Sequence, residues 1–257
     1  MKRPQDDKRF SLESTINEVD GLEREINDFR ILTRRLDIYP FDTVAGELLG
    51  KSFALARAAI VLLEQGFPDE AFGCCRTLYE AAIYLRYITK DSECMHERAT
   101  AFLKFGRDSK AFWFQLLKSS GSLAAEELEE MERYVKENEI PDDSKIITRP
   151  WSGMWRLIEK ISLESHPLDA PSSSKELRDK QRAFAYTDTS SYVHCTQPSV
   201  NHYAFDWKEP ISIMKPSRGA AGNAAKACLA IQVHLREIVR YCLFGMNVVS
   251  LEEMMGR

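Results

Sequence analysis

PDEAFGCCRTLYEAAIYLRYITK, residues 68–90, decides how the rest of the chain is read. A proline at its start suits the first turn of an α-helix, where its missing N–H would have had no partner. Phe72, Leu78, Ala82 and Leu85 follow at helical steps and should be buried. Arg76 and Glu80 stand four apart on the same segment, with Tyr84 and Tyr87 one turn beyond. Charges set beside an apolar stripe require partners, because an isolated buried charge is strongly destabilising. The segment is therefore both a core helix and the first place to look for chemistry.

Working outward, the flanks also read as helix. Residues 11–37 place Leu12, Ile16, Val19, Leu22, Ile26, Phe29 and Leu36 along one helical stripe, with Ser11 as N-cap and Pro40 as the break. A second helix is expected from about Thr43 to Gln65, stopped by Gly66. Asp91 or Ser92 caps a fourth, HERATAFLKFGRDSKAFWFQLLK, with a kink expected near Gly106. In it, Phe112 and Trp113 point to different faces, which offers one of them for a dimer contact. Residues 122–139 form an acidic helix whose charges suit a solvated outer face. A loop at 140–153 leads to a short helix with Trp155, Leu157, Ile158 and Ile161, then to the polar connector HPLDAPSSS. Ser173 or Ser174 caps the next helix, which bears YTDTSSYVHC at 186–195. Residues 198–216 alone do not read as helix and suggest a short irregular or β-hairpin insertion. A last long helix runs from about Arg218 to Gly245. The expectation is a single all-α domain over 1–257: a multi-helix bundle with an N-terminal helix at about 11–37 and a core at about 43–245.

Bulk properties narrow the classes. A chain of 257 residues, 44% hydrophobic, is long enough for one large core. The net charge of -4 argues against a broad nucleic-acid surface and leaves room only for a local patch. Six cysteines without a CxxC pair signal neither a zinc module nor a disulfide framework, and suit free thiols in a reducing cytosol. MKRPQDDKRF has no apolar segment behind it, so no secretory signal is expected. The apolar run from Ala227 to Val249 is interrupted by His234, Arg236, Glu237 and Arg240, which does not suit a membrane span. The expected location is cytoplasmic.

Several motifs carry possible chemistry. Glu93 and His96 have the E-x-x-H spacing of helical di-iron sites, but the second copy such sites need is missing. His194, Cys195 and His202, even with Cys74 or Cys75, match no zinc spacing. Neither a metal nor a cofactor is expected. Gly219, Gly222 and Asn223 suggest a phosphate-cradling turn, without the lysine and hydroxyl of a P-loop. With Lys208, Lys215 and Arg218 close in sequence they make an anion- or RNA-binding candidate. Tyr186, Ser190 and His194 fall at successive steps of four, so on a helix they share one face.

R-T-L-Y-E at 76–80 followed by Y-x-x-x-S-x-x-V-H at 186–194 resembles a large bacterial family of unknown function, itself distantly similar to the HEPN proteins (higher eukaryotes and prokaryotes nucleotide-binding). The resemblance covers roughly residues 45–245. HEPN proteins are helical bundles, often homodimeric, and many are metal-independent ribonucleases of toxin–antitoxin and phage-defence systems. The resemblance thus implies RNA or a nucleotide as ligand and an antitoxin or defence-system protein as partner. It makes Arg76, Glu80, Tyr186, Ser190 and His194 the candidate catalytic residues. Active HEPN ribonucleases keep arginine and histidine close together on one late helix, whereas the nearest arginine before His194 is Arg182, twelve residues earlier. A catalytic reading therefore requires Arg76 to supply the cation from another helix. The competing readings are a non-enzymatic interaction or regulatory protein, in which these residues form a packing network, and a nucleotide or anion sensor.

Overall fold

The computed structural model describes residues 10–32, 39–121, 124–137, 158, 160–161, 164, 166–169 and 220–254. Among them are six helices and no strand, so the protein is all-α: α1 (Leu12–Leu32), α2 (Pro40–Glu64), α3 (Pro68–Thr89), α4 (Ser92–Ser120), α5 (Ala125–Glu137) and α6 (Ala220–Met254). The helix expected around Tyr186, the insertion at 198–216, Trp155 and Leu157 lie outside the described residues, as do the side chains of Phe112 and Trp113.

Local chemistry explains most helix ends. The Ser11 hydroxyl accepts the Ser14 N–H at 3.1 Å, so Ser11 caps α1 as its sequence position suggested. α2 starts three residues before the expected Thr43. Tyr39 is extended, Pro40 takes the first helical position, and the Asp42 carboxylate accepts the Tyr39 N–H at 3.2 Å. Pro40 thus opens a helix. At the far end of α2, Gly66 adopts φ 82° while the N–H groups of Gly66 and Phe67 return to the carbonyls of Leu63 and Leu62. That is a Schellman stop, which favours glycine because a side chain is strained there. α4 is continuous through Gly106, and α6 continues past Gly245 to Met254. Gly245 has a packing reason: a Cβ there would lie 2.3 Å from the Phe41 ring.

Cross-helix contacts fix the topology. Asp69 meets Asn223 and Arg86 meets Tyr241, so α3 and α6 run parallel. Thr15 with Gln232 and Glu18 with Arg236 set α1 parallel to α6 as well. Phe41 at the start of α2 lies against Gly245 near the end of α6, and Tyr84 and Tyr87 of α3 meet Phe102 and Arg98 of α4. α2 and α4 are therefore antiparallel to that parallel set. α3 is the centre: Phe72, Cys75, Leu78, Leu85 and Ile88 are fully buried against α2 and α6, whose Phe41, Val44, Ile231, Leu235 and Ile238 complete the core.

Candidate functional site

α3 is buried around more than half of its circumference, and the rest forms one open stripe. Gly73, Cys74, Arg76, Glu80 and Tyr84 are half-buried and Thr77 is exposed, whereas the other residues from Ala71 to Thr89 are buried. At 100° per residue these six positions fit one arc of about 160°. The motif pair sits on this open stripe. Arg76 Nε donates to Glu80 Oε1 at 3.0 Å, with 14% and 29% of the two side chains exposed. A glutamate one turn on fixes the direction of the guanidinium, and the fork geometry of that group suits a phosphate or carboxylate. Tyr84 follows one turn later, its ring edge-on to Phe102 at 5.5 Å. Beside the other end of the stripe, the Lys226 ammonium comes from α6 to 5.7 Å from the Phe72 ring centroid.

The second arginine of α3 behaves differently. Arg86 is 8% exposed and grips Asp169 with both arms of its fork, at 2.7 and 2.6 Å. It also donates to the Tyr241 hydroxyl at 2.6 Å and to the Glu164 carbonyl at 3.0 Å. Burial opposes the charged guanidinium, but Asp169 and Tyr241 outweigh it and hold its pKa above the ordinary value. Burial pushes the Tyr241 phenol up to about 12, with Glu237 adding to the shift.

His166 completes this cluster. Its Nδ1 accepts the Leu168 N–H at 3.1 Å, so in the neutral ring Nε2 carries the proton. Nε2 faces Thr89 Oγ1 at 3.2 Å, and the Thr89 hydroxyl in turn donates to the Leu85 carbonyl at 2.8 Å. Burial, reinforced by the Arg86 charge, lowers the His166 pKa to about 4. Lys90 adds contacts to Glu164 at 2.6 Å and the Ile161 carbonyl at 3.1 Å, and Arg240 donates to the Leu168 carbonyl at 2.8 Å. Arg86 of α3, Lys90 just beyond it and Arg240 of α6 thus fasten Ile161, Glu164, Leu168 and Asp169 to the core. The arrangement is a lock whose central charges, Arg86 and Asp169, are nearly buried and satisfy each other. The sequence presented HPLDAPSSS only as a polar connector, and neither Arg86 nor Tyr241 stood out from the helical pattern around it.

The remaining candidates divide cleanly. Asn223, offered as part of an anion cradle, is buried and donates its amide to the Asp69 carboxylate at 2.6 Å, joining the first turns of α6 and α3. Glu93 and His96 are both exposed, and among the described residues no three metal-ligating side chains gather. His234 is 4% exposed, and among the described residues neither ring nitrogen has a hydrogen-bond partner. Its Nδ1 lies 3.6 Å from Glu237 Oε2 and its ring is edge-on to Tyr79. Cys75 and Cys242 are fully enclosed and burial drives their thiols well above the ordinary range, so both are inert apolar filler. Tyr186, Ser190, His194, Lys208, Lys215 and Arg218 lie outside the described residues, so Arg76 and Glu80 are the members of the candidate site whose surroundings are on view. Among the described residues no helix is long and apolar enough to cross a membrane.

No curated protein and no solved structure matches this sequence. A family model does, over residues 42–209, a span that takes in both R-T-L-Y-E and Y-x-x-x-S-x-x-V-H. With more than half of its length matched, the chain belongs to the family of unknown function DUF5677.

Proposed function

We propose that this protein is a HEPN-like, metal-independent ribonuclease of bacterial defence or toxin type, working in the cytoplasm as a homodimer. The observation that carries the reading is the placement of Arg76 and Glu80 on the one open stripe of a helix whose other residues from Ala71 to Thr89 are buried. A group that must meet a substrate has to be reachable, and Arg86 on the same helix shows how a purely structural arginine is housed here. In this scheme His194 removes the 2′-hydroxyl proton of RNA, a task suited to an imidazole that titrates near neutrality. The 2′-oxygen attacks the phosphorus, and the 5′-oxygen leaves and takes a proton from water. Arg76 stabilises the negative charge gathering on the phosphate, Glu80 holds the guanidinium in place, and Tyr186 and Ser190 orient the phosphate. Lys208, Lys215 and Arg218 serve as the neighbouring RNA contacts, and an antitoxin or defence-system protein is the expected partner.

The test is induced expression of the parent, Arg76→Ala and His194→Ala in cells, with growth and total RNA compared. The parent should slow growth and fragment RNA, and each variant should lose about 100-fold of that activity. Equal damage by parent and variants removes the scheme. A second reading, a non-enzymatic interaction or regulatory protein, draws on the mutual satisfaction of Arg76 and Glu80 at 3.0 Å. It expects unimpaired growth and intact RNA in all three cultures.

A further inference from the structure

The open stripe of α3 is chemically graded along its length. Its N-terminal part has two cations close by, Arg76 itself and Lys226 arriving from α6 over Phe72, one turn before Arg76. Glu80 occupies the middle. The C-terminal part is aromatic: Tyr84 and Phe102, both half-buried, meet edge to face across the α3–α4 seam with an interplanar angle of 60°. Arg76 and Tyr84 are eight residues apart, which on a helix is about 12 Å. An anionic backbone is attracted to the Arg76 and Lys226 end and repelled by Glu80, while an uncharged planar base is free to approach the aromatic end. Edge-to-face packing on Phe102 restrains the Tyr84 ring, so little side-chain freedom remains to be lost when a base stacks on it.

From this grading we propose that Tyr84 is the base-stacking residue of the Arg76 site, and that the site takes single-stranded RNA. The inference rests on the ribonuclease reading above and names the form of its substrate. Bases within a duplex are already stacked on one another, so a side-chain ring reaches only a base that is splayed out. One stacked base contributes roughly 1–3 kcal/mol, a factor of about 5 to 100 in affinity.

The experiment uses the full chain carrying His194→Ala, so that the probe is not cut. Fluorescence anisotropy measures binding of labelled oligoadenylate of about twelve nucleotides, and of an RNA duplex of similar length. Single-stranded RNA should bind more tightly than the duplex. Tyr84→Leu should weaken single-strand binding by roughly 5- to 100-fold and leave duplex binding unchanged. Tyr84→Phe should bind as the parent does. Should Tyr84→Leu fail to fold, Tyr84→Trp decides, with affinity for the single strand expected at or above that of the parent. Undiminished single-strand binding by a folded Tyr84→Leu protein, weakened binding by Tyr84→Trp, or equal binding of strand and duplex overturns this inference while leaving the ribonuclease reading standing. Binding of neither RNA by the parent overturns both.

Discussion

Arg86 and Asp169 show what a paired charge contributes in this core and what an unpaired one would cost. Each is more than four-fifths buried, and each is the other's bidentate partner. Replacing Arg86 by Met strands a carboxylate, and replacing Asp169 by Asn strands a guanidinium. Each single change should destabilise the protein by about 3–5 kcal/mol, whereas the double variant should lose clearly less than the sum. Urea unfolding of the four proteins measures the coupling, and additive losses would show that the pair does not act as a unit. His166 gives the lock its pH dependence. In the unfolded chain this imidazole takes a proton near pH 6.5, but in the fold it resists protonation down to about 4. Stability is therefore fully present above pH 6.5 and falls as the pH is lowered towards 4, by up to about 3 kcal/mol. Thermal melting across that window should show a shallower decline for His166→Asn than for the parent.

At the level of the helix, sequence signals worked where the cause is local. Ser11, Gly66 and Pro68 mark ends because capping, a left-handed backbone and a fixed φ are decided within a few residues. Phe72, Leu78 and Leu85 announced the buried face of α3 through their spacing alone. Signals failed where the cause is distant. Gly245 looked like the stop of α6, yet α6 runs nine residues further because the reason for the glycine is a ring 204 positions earlier in sequence. The same distance hid the lock: Arg86 meets Asp169 across 83 residues and Tyr241 across 155, and no periodicity reports such pairings. The candidate site was half legible, since the Arg76–Glu80 pair is an i, i+4 feature of one helix. That it occupies an open stripe depends on what α2, α4 and α6 cover. Gly245→Ala makes the point measurable. In an ordinary helix interior this change stabilises, because alanine is the better helix former. Here the methyl would collide with Phe41, so a loss of about 1–3 kcal/mol is expected in chemical denaturation. A gain would mean that the ring can move aside freely.

On the scale of the molecule, the parallel pairing of α3 with α6 has a consequence for synthesis. About 130 residues separate the end of α3 from the start of α6, yet α6 covers a large part of the α3 surface. Translation at roughly 5–20 residues per second leaves a delay on the order of ten seconds between the emergence of the two helices from the ribosome. Throughout that interval the flank of α3 around Phe72, Cys75 and Tyr79 lacks its permanent cover, because Lys226, Ala227 and His234 have not yet been made. The nascent chain therefore carries a sticky surface until late in its production, and chaperones acting during translation have their clearest target there.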